Sequence, residues 1–138
     1  MSDEERLQSL IVEIRILETY YNELENRESI AGRAIVEGRA ALDTLKALGT
    51  DTSSEALVPI GGGFFIKSTT PPIDTLVVTV GADVAVEKTK DDAIRFMEER
   101  LGQLEQAVST LETQKSELAR RIEAGRLGIS KIAEQQQR

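Results

Sequence analysis

The sequence predicts an α+β fold, a long antiparallel coiled-coil hairpin with two central β-hairpins that join an oligomeric β-barrel. Three observations carry this expectation. Two heptad-patterned runs of equal length lie at opposite ends of the chain, 7–45 and 94–132. Between them, two apolar segments each fold back at a glycine-containing loop. Little chain is left between the helices for a globular core, and with 4% aromatics and no Trp the chain lacks the bulky residues of a packed interior.

In the first run the a positions are Leu7, Ile14, Tyr21, Glu28, Ile35 and Leu42, and the d positions are Leu10, Leu17, Leu24, Ala31, Gly38 and Leu45. In the second, a reads Ile94, Leu101, Val108, Lys115, Ile122 and Ile129, and d reads Met97, Leu104, Leu111, Leu118, Gly125 and Ile132. A strict 3.5-residue repeat marks a seam that faces another helix. At 1.5 Å per residue each run would extend roughly 58 Å. The start of helix one is signalled by Ser2 with Glu5, a capping box, and its end by Lys46 and Gly49. Helix two is introduced by Thr89 with Asp92. The expected bounds are helix one over about 3–48, β-hairpins over about 56–88 and helix two over about 90–133, with 134–138 fraying, all in a single domain.

Leu57-Val58-Pro59-Ile60 and Phe64-Phe65-Ile66 flank Gly61-Gly62-Gly63, a hairpin signal. Pro59 donates no ladder hydrogen bond and belongs at an edge. After Pro71-Pro72, Leu76, Val78 and Val80 alternate toward Gly81-Ala82-Asp83, and Val84 and Val86 follow. A three-residue loop would set Val80 opposite Val84 and Val78 opposite Val86. A linker that folds back twice suits antiparallel helices, so residue n of helix one lies near 139 − n of helix two. The other arrangement has each helix docking on a separate chain.

Isolated hairpins are marginal in water and present unpaired edges. Assembly with other subunits is therefore expected through Phe64, Ile66, Leu76, Val78, Val80, Val84 and Val86, the alternative being a small sheet packed on the coiled coil of a monomer. Polar and small seam residues qualify the coil. A Glu28–Lys115 contact would fix register, whereas the plainer reading has both side chains snorkelling to water. Gly125, opposite Ile14, predicts splaying below the free end. At that end lie Leu7, Leu10, Ile11 and Ile14 with Leu127, Ile129 and Ile132, an apolar set suited to holding something apolar. Leu10 and Ile14 read as core; Ile11, Leu127 and Ile132 are the better contact residues.

Composition narrows the function. The chain has no Cys and no His, so it lacks a thiolate, the commonest general base and the commonest neutral metal ligand. No enzyme, cofactor or metal is expected. Net charge is −7, with no basic stripe for nucleic acid and no apolar run long enough for a membrane, and the acidic, polar N-terminus is unlike a signal peptide. Cytoplasmic residence is the expectation by elimination. Gly61-Gly62-Gly63 lacks the Lys-Ser or Lys-Thr pair of a phosphate-binding loop.

Two heptad helices around two hairpins resemble prefoldin. Val58-Pro59-Ile60-Gly61, Phe64-Phe65-Ile66, Val80-Gly81-Ala82-Asp83 and Val86-Glu87-Lys88 look like the archaeal alpha class of that family, and the resemblance spans essentially the whole chain. It implies a hexamer of two alpha and four beta subunits, built on a double β-barrel. It also implies capture of unfolded client proteins by coiled-coil tips and transfer to a group II chaperonin without ATP. The competing reading is a coiled-coil scaffold or adaptor that binds one folded partner.

Overall fold

The computed structural model describes residues 2–137. Its elements run α1 (Asp3–Ala47), β1 (Ser54–Gly61), β2 (Phe64–Thr70), β3 (Thr75–Gly81), β4 (Val84–Thr89) and α2 (Lys90–Gln136). The fold is the expected α+β arrangement of two long helices and two antiparallel hairpins. Contacts group the chain into two compact units, Met1–Ala34 with Leu104–Arg138, and Ile35–Gln103.

Both N-caps form as their sequences require. Glu5 N–H donates to Ser2 Oγ at 3.2 Å, and Asp92 N–H donates to Thr89 Oγ1 at 3.2 Å. At the other end of α1, Gly49 packs beside Thr52. A Cβ there would lie 2.5 Å from Thr52 Oγ1. α2 continues to Gln136, past the expected stop near 133, because Glu134-Gln135-Gln136 contains neither Gly nor Pro to break it.

In the first unit the seam is the buried face. Ile14, Leu17 and Ile122 form its core, with Tyr21, Leu118 and Ile129 packed against them. Ile14 faces Gly125, as the 139 − n rule requires, but the helices do not splay there. A Cβ on Gly125 would sit 2.9 Å from Ile14 Cγ1, and one on Gly128 would sit 3.3 Å from Leu10 Cδ1. The absent side chains are replaced by close approach, and the large Ile14 fills the room that Gly125 leaves.

In the second unit Gly38 packs the same way, since a Cβ there would lie 2.8 Å from Leu101 Cδ2. Lys90 ties the helix ends together. Its ammonium donates to Leu48 O, beside the negative end of the α1 dipole, and its N–H donates to Asp74 O at 3.2 Å. Ile73 N–H donates to Gly49 O at 3.0 Å, so the segment between the hairpins is pinned to both helix ends.

The hairpins form separate two-stranded sheets, β1-β2 and β3-β4. They are two copies of one design. Pairs 55↔69, 56↔68, 57↔67, 58↔66, 59↔65 and 61↔64 recur as 75↔89, 76↔88, 77↔87, 78↔86, 79↔85 and 81↔84, a shift of 20 residues. Each turn has a bulging glycine, Gly61 (φ 103) or Gly81 (φ 127), followed by two residues with positive φ. Those two are Gly62-Gly63 in one hairpin and Ala82-Asp83 in the other. Val78 pairs with Val86 as expected, but Val84 pairs with Gly81 instead of Val80. The loop is two residues long, because a two-residue turn with both φ positive matches strand twist and the bulge absorbs the extra residue.

This geometry makes a clean prediction at Gly81. A Cβ there would meet no atom within 4 Å, so Gly81→Ala tests backbone strain alone. The variant is expected to lose about 1–3 kcal/mol of stability, read by chemical denaturation. No loss would remove the role assigned to the bulge.

Candidate functional site: the exposed apolar surfaces

Heptad periodicity places Leu7, Leu10, Ile11 and Ile14 on the same side of α1, while α2 supplies Leu127, Ile129 and Ile132. Ile14 and Ile132 are buried, and Leu7, Leu10, Ile11 and Ile129 are half-buried. Leu127 alone of this set is exposed, at 56%. Ile132 is only 2% exposed, so it belongs to the seam, and its expected place among the outward contact residues is corrected. It occupies a d position, and d positions point at the partner helix.

Sequence reasoning missed Val12 and Ile16, which are 53% and 51% exposed. They lie one helical turn apart, and Tyr20, also exposed, continues the row. The signal was available: three large apolar side chains at i, i+4 and i+8, off the seam.

Farther along the same unit, the seam carries charge. Lys115 Nζ lies 3.2 Å from Glu28 Oε2, 4.0 Å from Glu25 Oε1 and 5.3 Å from the centre of the Tyr21 ring. The Lys115 side chain is 17% exposed, so it does not simply snorkel. Glu28 Oε2 is buried, and the Lys115 ammonium is its ion partner. The Glu28 carboxylate raises the Lys115 pKa above the ordinary lysine value, and partial removal from water acts in the opposite direction.

The hairpins expose most of their apolar residues. Phe64, Ile66, Val80, Val84 and Val86 are all exposed, and Leu76 and Val78 are half-buried. Paired residues share a face, so Val58 and Ile66 stand together on one side of the first hairpin, and Pro59 and Phe65 on the other. Both faces are therefore apolar. In the second hairpin the Leu76, Val78, Val86 and Lys88 face includes its half-buried residues, and Lys88 Nζ sits 5.3 Å from the centre of the Phe96 ring. Val77, on the opposite face, is exposed.

Among the described residues no group of three or more Asp or Glu is placed to hold a metal ion, and no helix is long and apolar enough to cross a membrane. What the chain presents is uncovered apolar surface, on two sheets and on the outer side of a coiled coil.

Known proteins share this arrangement. The family model described as prefoldin subunit matches residues 17–135. The chain is 31% identical to prefoldin subunit alpha of Nitrosopumilus maritimus over 134 residues, covering 97% of this chain and 92% of that one. It is 33% identical to prefoldin subunit alpha of Methanoculleus marisnigri, covering 84% and 87%. Among solved structures, the prefoldin beta subunit from Thermococcus strain KS-1 superposes with a TM-score of 0.66 at 18% identity, over 91% of this chain and 90% of that chain. At that identity the likeness is one of fold. Filamentous PFD from Methanocaldococcus jannaschii gives 0.58 at 26% identity, over 88% and 95%. Two heptad helices, a duplicated hairpin and matches over nearly the full length agree: the chain belongs to the prefoldin family of chaperone subunits, with the archaeal alpha subunits as its relatives.

Proposed function

We propose that this chain is the alpha-type subunit of an ATP-independent cytoplasmic holdase, assembled as two alpha and four beta subunits. Its hairpins join those of the beta subunits in a β-barrel platform. The ends of its helices hold unfolded client proteins, which a group II chaperonin then accepts. The observation that supports this best is the apolar surface on both faces of hairpin one, on strands whose edges are unpaired. A single chain gains nothing from that arrangement, and a barrel shared among subunits covers it.

Client capture would rest on Leu127, Val12 and Ile16, with the half-buried Leu7, Leu10, Ile11 and Ile129 beside them and Ile14 and Ile132 supporting from the seam. Weak apolar contacts at several subunits would combine through multivalency. Release would come from competition by the chaperonin, since no nucleotide-binding motif is present to drive it.

Light scattering with a chemically unfolded client tests this. The chain assembled with its beta partner is expected to suppress aggregation at stoichiometric amounts without nucleotide. Val12→Glu, Ile16→Glu and Leu127→Glu together should weaken suppression several-fold at unchanged assembly mass. An assembly that fails to suppress aggregation yet binds one folded partner would establish the scaffold reading instead.

A further inference from the structure

The charged residues of the first unit include a seam pair that favours one register. In an antiparallel coiled coil, g positions lie across from g and e positions from e. Arg121 (g) contacts Glu13 (g) at 3.7 Å, and Arg126 (e) donates to Glu18 (e) at 2.9 Å. Between α1 and α2 in the seam itself lies the Lys115–Glu28 pair, at 3.2 Å.

Sliding α2 by one heptad in either direction keeps every a and d position on the seam, so periodicity alone does not resist it. The charges do. Glu13 would meet Gln114 or Gly128 in place of Arg121, and Glu18 would meet Ala119 or Ala133 in place of Arg126. Glu28 would meet Val108 or Ile122, and Lys115 would meet Tyr21 or Ile35. Two substitutes arise, one in each direction: Glu18 takes the outer place of Glu25 beside Lys115, or Arg126 meets Glu25 at the exposed e position. Arg121 would meet Tyr20 or Arg6, and in both directions Glu28 faces an aliphatic side chain across the seam.

The exposed pairs are individually weak, because water screens them. The seam pair is different. Glu28 Oε2 is buried, and a slip would leave it facing hydrocarbon with no counter-charge. We infer that the Glu28–Lys115 pair is a register lock, which holds α1 and α2 of this unit in one alignment by making each neighbouring alignment bury an unpaired charge. Two apolar residues at these positions would pack well enough to form the coil but would remove the charge penalty on the neighbouring alignments. The consequence is positional: the lock decides which α2 residues stand beside Leu10 and Ile11, and so the composition of the apolar surface near the helix ends.

The chain contains no cysteine, so two engineered ones can carry spin labels without background. Ser9→Cys and Ser116→Cys are exposed and lie off the seam. A one-heptad slip changes their axial offset by about 10 Å. In the full-length chain, pulsed dipolar spectroscopy is expected to give one distance. Glu28→Leu with Lys115→Leu should add a second population shifted by about that amount. The swapped pair, Glu28→Lys with Lys115→Glu, made together with Glu25→Gln so that no like charge faces position 115, should restore the single distance. A single unshifted distance in the double-leucine variant overturns the lock. So does a second distance in the swapped variant, because the pairing would then not be what selects register.

Discussion

A chain carrying Val58→Asp and Ile66→Asp is expected to stay helical and to lose assembly with beta subunits. The two residues are cross-strand partners on one face of hairpin one, 45% and 53% exposed in the chain alone. Charges there cost the isolated chain little. In a barrel interior they would place two carboxylates side by side in an apolar setting, where each loses hydration and repels the other. If the pair costs about 4 kcal/mol, association falls about a thousandfold. Native mass reports the assembly and far-ultraviolet circular dichroism reports the helices. An unchanged assembly mass would exclude this face of hairpin one from the subunit contact. Leu76 and Val78 would give a poorer test, because they are half-buried within their own chain and charges there would also disturb the fold.

Much of this design is legible in the sequence, because coiled coils are read by period. Every a and d position from Leu7 to Leu45 and from Ile94 to Ile132 is buried or half-buried. The caps at Ser2 and Thr89 follow from the same local chemistry, and so does the opposition of Ile14 and Gly125. Period specifies which side faces inward, but says nothing about how closely two helices approach. That is why Gly125 reads as a missing knob when it is in fact the site of closest fit.

The misreadings share a cause. Val80 is displaced from its expected partner because the turn takes two residues and Gly81 bulges, a choice made by positive φ at Ala82 and Asp83. Alternation alone cannot reveal it. Val12 and Ile16 escape notice because a seam-based reading assigns outer positions to solvent, and single exposed apolar residues are ordinary. Only their spacing, one turn apart and followed by Tyr20, distinguishes them. Ile132 shows the reverse. Its place near the helix end suggests exposure, yet its d position decides in favour of burial.

The same substitution at Gly125 is expected to change sign with its neighbour. In the native chain, Gly125→Ala gains about 1 kcal/mol of helix propensity. Its new Cβ would stand 2.9 Å from Ile14 Cγ1, an inner atom of a buried branched side chain with little freedom to move away. Overpacking of this kind costs about 1–3 kcal/mol, so the net effect should be neutral to destabilising. Ile14→Ala alone removes a core side chain opposite a residue that has none to fill the gap, and should cost about 2–5 kcal/mol. In that background Gly125→Ala meets no clash and partly fills the void, so it should stabilise by about 1 kcal/mol. Thermal or chemical denaturation of the four chains measures the coupling directly. Additive effects would mean that Ile14 and Gly125 do not touch, and the close approach assigned to this layer would be wrong.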